Sequence, residues 1–142
     1  MRRLLEFDNK GEPGFCFGCG PDNPEGLGLS FFETDDGVEA EYTVAERYAG
    51  APGVVHGGIL ATLLDEVLCM TAYAKAGSPV VTGELTVRYL EPSPTGSRLL
   101  VQAELGEHKG RSVFIEGRVR HGDDGRELAR AHGRFFFTGT ED

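Results

Sequence analysis

Between Ile59 and Ala76 the chain contains no glycine and no proline, while Gly57-Gly58 precede the run and Gly77 and Pro79 close it. Such boundaries predict one long helix. Its apolar residues include Ile59, Leu60, Leu63, Leu64, Val67, Leu68, Met70 and Ala72, and with Ala61, Cys69, Tyr73 and Ala74 they fall on nearly every side of a helical wheel. A helix of that kind must be buried almost all round, so the remaining chain has to wrap it.

The rest of the sequence reads as strands. Leu27, Leu29 and Phe31 alternate with polar or small residues, and after Asp35-Asp36-Gly37 a second alternating set follows at Val38, Ala40, Tyr42 and Val44. Period two with an intervening turn predicts an antiparallel hairpin. Beyond the helix come four more runs, at 80–90, 98–105, 111–121 and 127–138, joined by short turns such as Gly122-Asp123-Asp124-Gly125. The expected class is α+β, with a curled antiparallel sheet of about six strands around one buried central helix. At 142 residues, one core and one domain over 1–142 are expected. Residues 1–26, dense in Gly and Pro toward their end, read as a leading segment of consecutive turns.

Charge and cysteine content narrow the function. The net charge of −9, with no basic stripe, argues against nucleic acid and anionic membrane as partners. Asp65 and Glu66 interrupt the longest apolar stretch, so no bilayer span is expected. The first residues, Met1-Arg2-Arg3-Leu4-Leu5-Glu6, lack the apolar core of an export signal, which leads to the expectation of a cytoplasmic protein with three reduced cysteines. Cys16-x-x-Cys19 has the spacing of a metal half-site, but no second CxxC or CxxH follows, so no metal and no cofactor are expected. Cys69, inside the helix, reads as core packing.

Two features carry chemistry. A glycine pair opening a helix leaves backbone N–H groups accessible at the positive end of the helix dipole, a place suited to an oxyanion, although the same pair could serve only a tight loop. Asp65 lies on a helix that should otherwise be dry, and a buried carboxylate needs a partner or a role. Glu66 lies about 100° further round the helix and reads as facing solvent or a subunit contact.

His56-Gly57-Gly58, with Asp65 nine residues after the histidine in ILATLLDEV, resembles the hotdog-fold thioesterases of the PaaI and thioesterase-superfamily type. Cys16-Phe17-Gly18-Cys19-Gly20 with Asn23-Pro24 and Gly26-Leu27 is similar to the leading segment of one branch, and Val87-Arg88-Tyr89-Leu90-Glu91-Pro92 to the strand after the helix. The resemblance implies a hotdog fold, an acyl-CoA substrate, and a dimer or dimer of dimers with the active site between subunits. It implies Asp65 as general base or nucleophile, the Gly57 amide, helped by Gly58, as oxyanion donor, and Thr82 as a hydroxyl beside the carboxylate. His56 would brace the loop or the thioester carbonyl. Coenzyme A, entering as part of the substrate, would need a basic patch, and His108-Lys109-Gly110-Arg111 and Arg88 are the candidates, though such a turn is also an ordinary solvated hairpin. Where many relatives carry Asn, Gln or Glu six or seven residues before the histidine, this chain has Gly50 and Ala49. That departure keeps open a protein that binds an acyl thioester without cleaving it.

Overall fold

A computed structural model describes residues 3–6 and 11–138. In chain order the elements are β1 (Arg3–Leu5), β2 (Phe31–Glu33), β3 (Gly37–Thr43), a short 3₁₀ turn (Glu46–Tyr48), α1 (Gly57–Ala76), β4 (Val80–Tyr89), β5 (Arg98–Lys109), β6 (Ser112–His121) and β7 (Glu127–Phe137). The strands form one sheet in the order β1-β2-β3-β5-β6-β7-β4, with every neighbouring pair antiparallel. It curls around α1, which touches β2 through β7. This is the hotdog architecture.

The helix begins and ends where its glycines require. His56 is the N-cap, its ring nitrogen accepting from the Gly58 N–H, and Gly77 at φ 86° is the left-handed residue that stops the last turn. By length and apolarity α1 could cross a membrane, but here Leu60, Leu63, Leu64, Val67, Leu68, Met70, Thr71 and Ala72 are buried within the fold. They meet fully buried side chains such as Val101, Ile115 and Phe135 in one hydrophobic core.

Burial all round the helix needs correction. Ala61, Thr62, Asp65 and Cys69, spaced three and four apart on one face, remain only half-buried. The sheet has two edges and covers one side of the helix. The edge nearest this stripe is β4, whose one sheet neighbour among the described residues is β7, and most of its residues are exposed. The described residues form seven strands beside the expected number of about six, the additional one being β1 in the leading segment. Leu27 and Leu29 are buried as expected but stand outside the sheet, because their N–H groups donate to the Phe17 and Gly18 carbonyls at 2.7 and 2.9 Å instead of to a strand. The β5–β6 hairpin runs further than its glycines indicate, so His108 and Lys109 lie at the end of β5, past a register shift between Leu105 and His108.

Across β5 and β6, Arg118 makes two hydrogen bonds to the Glu104 carboxylate, at 2.6 and 2.7 Å, and these hold the carboxyl below the usual glutamate range. A lowered folded-state value stabilises the fold above the ordinary glutamate pKa, and that contribution disappears as acid protonates the group. Glu104→Gln should therefore lower the melting temperature modestly at pH 7. The difference from the parent should shrink as the pH falls below about 4, read by thermal melts across that range.

Candidate active site

The half-buried stripe of α1 meets β4 at Asp65. The Thr82 hydroxyl donates to Asp65 Oδ1 at 2.6 Å, and Cys69, one turn along the helix, places its sulfur 3.5 Å from Thr82 Oγ1 and 4.0 Å from the same carboxylate oxygen. Burial, with the Asp65 charge beside it, pushes the Cys69 thiol up to about 12, so it stays protonated at neutral pH. The pair is a carboxylate steered by a hydroxyl donor, and its second oxygen is left for another proton.

A β-bulge makes this geometry. Thr82 and Tyr89 are seven residues apart, and in a regular strand an odd separation sends two side chains to opposite faces. The register shift between Thr82 and Glu84 inserts Gly83 as an extra residue, packed so closely on the Phe136 ring that no Cβ would fit. Both side chains then face the helix. Thr82 reaches Asp65, and the Tyr89 hydroxyl donates to the Gly57 carbonyl at 2.7 Å, pinning the first turn of α1 to the same strand.

At that first turn the amides are not equivalent. Gly58 N–H is taken by the His56 ring nitrogen Nδ1 at 2.9 Å, while Ile59 and Leu60 both donate to the His56 carbonyl. The Gly57 N–H has no hydrogen-bond partner among the described residues. It sits exposed, at the positive end of a twenty-residue helix. His56 thus acts as a cap whose Nδ1 is already occupied.

Along the helix, the eight residues from Gly57 to Asp65 span about 12 Å, so one chain's free amide and its own carboxylate cannot address the same carbonyl group. Beside Asp65 lies an open cavity of about 350 Å³ walled by Phe17, Gly18, Ala61, Thr62, Glu66 and Leu85. Glu66 corrects an expectation, being covered by the leading segment, where the Cys16 thiol lies 3.4 Å from each of its carboxylate oxygens. Burial pushes this carboxyl up from the usual range.

The basic candidates are not gathered here. Arg88 lies on the opposite face of β4 and lines a cavity of about 500 Å³ with Glu116, Arg118 and Arg130. His108 packs its ring on Phe137 and approaches the Gly110 carbonyl, and Lys109 pairs with Glu107. In one chain His108, Lys109, Gly110 and Arg111 form a hairpin tip, whereas the hydrogen bonds of Asp65 among the described residues go to Thr82 and Cys69. Cys69 packs against the core as its sequence position indicates, and it also borders the Asp65–Thr82 pair. Tyr89, which the strand pattern does not single out, reaches the first turn of α1.

Comparison with known proteins places this geometry. Residues 52–128 match the family model of the thioesterase superfamily. The chain belongs to the thioesterase superfamily. That match takes in His56, the glycine pair, Asp65, Thr82 and Tyr89. Among superfamily relatives, an acyl-coenzyme A thioesterase THEM4 of Xenopus laevis is 36% identical over 75 residues, covering 53% of this chain and 33% of that protein. A Candida albicans protein named as uncharacterized and mitochondrial is 32% identical over 100 residues, 69% of this chain and 45% of its own length. The chain thus spans less than half of either relative. A solved thioesterase superfamily protein superposes with a TM-score of 0.78 at 32% identity, over 86% of this chain and 60% of that one. The PaaI protein of Escherichia coli gives 0.71 over 78% of this chain and 83% of its own, a likeness of fold alone at 20% identity.

The mitochondrial relative overturns the expected cytoplasmic location. The expectation rested on the missing apolar export core, and import into an organelle is directed by segments of different chemistry.

Proposed function

We propose that the chain hydrolyses acyl-CoA thioesters, with Asp65 as the proton acceptor or nucleophile and the Gly57 amide of a second copy as the oxyanion donor. The observation that carries this reading is the pairing of a hydroxyl-steered carboxylate on α1 with an amide at the tip of the same helix that has no partner among the described residues, the two being too far apart to act within one chain. The exposed edge of β4 is the natural seam for the second copy. It offers a ten-residue row of backbone groups, and Val81 and Tyr89 are both more than half exposed there. An antiparallel β4–β4 pairing would continue the sheet and set two helices side by side with reversed direction, bringing each tip toward the other's Asp65.

In the base form of the reaction, Asp65 takes a proton from water as the water oxygen bonds to the thioester carbon. The carbonyl oxygen becomes an oxyanion held by the Gly57 N–H, the carbon–sulfur bond breaks, and the thiolate leaves with a proton as coenzyme A. In the nucleophile form the Asp65 oxygen attacks first and water cleaves the resulting anhydride. Thr82 orients the carboxylate in both forms, and the cavity walled by Phe17 and Leu85 receives the acyl chain. The THEM4 relative, named for acyl-CoA hydrolysis, supports this substrate class. A second copy would also have to supply basic residues for the coenzyme phosphates, from Arg88 or from the His108–Arg111 tip.

The test is a panel of acyl-CoA esters with a thiol reagent reporting free coenzyme A, run beside sedimentation of the same preparation. Turnover by a self-associated species supports the reading. Tight acyl-CoA binding without release would instead favour a non-cleaving binder, the reading that Ala49 and Gly50 keep open. Thr82→Val removes the 2.6 Å hydrogen bond to Asp65 and should lower kcat roughly tenfold with little change in KM, because the hydroxyl positions the carboxylate and not the substrate.

A further inference from the structure

Outside the proposed catalytic machinery, the leading segment does something its length does not explain. Cys16-Phe17-Gly18-Cys19-Gly20 folds into a tight knuckle in which Gly20 N–H donates to the Cys16 carbonyl at 2.8 Å. The Phe17 and Gly18 carbonyls are strapped to Leu27 and Leu29, and Asp22 closes the base by accepting from Gly14 N–H at 2.8 Å. Both thiols are therefore presented from a braced scaffold. The knuckle is pressed onto α1 so closely that a Cβ at Gly18 would collide with the Glu66 side chain. One ligand atom each from Cys16, Cys19 and Glu66 lies within 4.8 Å of the others, and no Lys or Arg pairs with Glu66 among the described residues.

We propose that Cys16, Cys19 and Glu66 form a zinc site that ties the leading segment to the central helix. Two thiolates and a carboxylate are a donor set suited to Zn²⁺, with water as the fourth ligand of a tetrahedron. Zinc–sulfur bonds of about 2.3 Å and zinc–oxygen bonds of about 2.1 Å place neighbouring ligand atoms about 3.6 Å apart in that geometry. The Cys16 sulfur already stands 3.4 Å from both Glu66 oxygens. On binding, the two thiols give their protons to solvent and no electron changes hands. The third ligand comes from a helix distant in sequence, which is why the CxxC alone looked incomplete and no metal was expected. Phe17 and Gly18, on the loop between the two cysteines, wall the cavity beside Asp65, so the ion would set that wall. This assignment does not depend on thioester hydrolysis.

The experiment uses the full chain, reduced and stripped of metal, titrated with Co²⁺ and then Zn²⁺. Expected are one equivalent bound, a thiolate-to-cobalt charge-transfer band in the near ultraviolet, loss of that band in Cys16→Ser and Cys19→Ser, and affinity weakened about tenfold or more in Glu66→Gln. On the unmutated chain, Zn²⁺ should shield Cys16 and Cys19 from an alkylating reagent, located by peptide mass mapping, so the result stands even if a serine variant misfolds. Absence of the band in the reduced parent chain, persistence of it in both folded serine variants, or alkylation of the pair unchanged by Zn²⁺ would each overturn the site.

Discussion

Asp65→Asn should cut coenzyme A release by roughly a hundredfold to ten-thousandfold while leaving the melting temperature close to that of the parent chain. The substitution keeps the shape and the acceptor oxygen to which Thr82 donates at 2.6 Å, so the carboxamide can sit where the carboxylate sat. What it removes is the ability to accept a proton or to attack. Two features make the effect chemical and not structural. Asp65 is half-buried on the open stripe of α1, not in its packed face, and no ion pair of the described residues involves it. A single turnover in heavy-oxygen water tests the nucleophile form: label appearing in the Asp65 side chain marks an anhydride that water opens at the Asp65 carbonyl carbon, whereas the base form places label in the released acid and none in Asp65. Full activity in a folded Asp65→Asn chain would remove the carboxylate from the mechanism.

Much of this arrangement was legible in the residues themselves, because the relevant signals are local. A run without Gly or Pro between glycine boundaries can hardly be anything but a helix, and α1 occupies 57–76 as a result. Alternation likewise located β4 through β7, since one face of each packs on the helix. What the sequence hides is relational. The order of strands leaves β4 at the edge, and nothing in its own residues distinguishes an edge from an interior strand. Parity places Thr82 and Tyr89 on opposite faces, and only the extra residue at Gly83, a property of the β4–β7 register, brings them to one face. The same holds for Glu66. Its partners stand in a loop with no period to read, so its cover by Cys16 is a tertiary fact, where helical geometry alone pointed to solvent or a subunit contact.

The oxyanion assignment yields the sharper second expectation, because a backbone donor can be deleted without disturbing the helix that presents it. Gly57 is the first residue of α1, the position where proline is favoured, and its N–H is the one amide of that turn without a partner among the described residues. The preceding residue already accommodates a proline: His56 has φ −58° and ψ 136°, inside the extended region that a following proline demands. Gly57→Pro should therefore fold with a melting temperature equal to or above the parent's, since it also restricts the unfolded chain. Its turnover should nevertheless fall by about a hundredfold to a thousandfold, the usual cost of losing one oxyanion donor. Gly57→Ala supplies the control. It retains the N–H, and its Cβ would meet the Tyr89 ring at 3.5 Å, an ordinary contact, so most of the activity should survive. If proline and alanine at this position reduced kcat equally, the loss would come from bulk beside Tyr89 and the amide would have no part in stabilising the oxyanion. If only proline does so, the helix tip has to reach a carbonyl that its own Asp65, about 12 Å away along the axis, cannot reach. Mixed dimers then provide the decisive arrangement. One chain carrying Asp65→Asn and its partner carrying Gly57→Pro leave one of the two sites with both groups intact, so each mixed dimer should have about half of the parent activity, and random exchange between two nearly inactive proteins, which makes about half of the dimers mixed, should restore about a quarter.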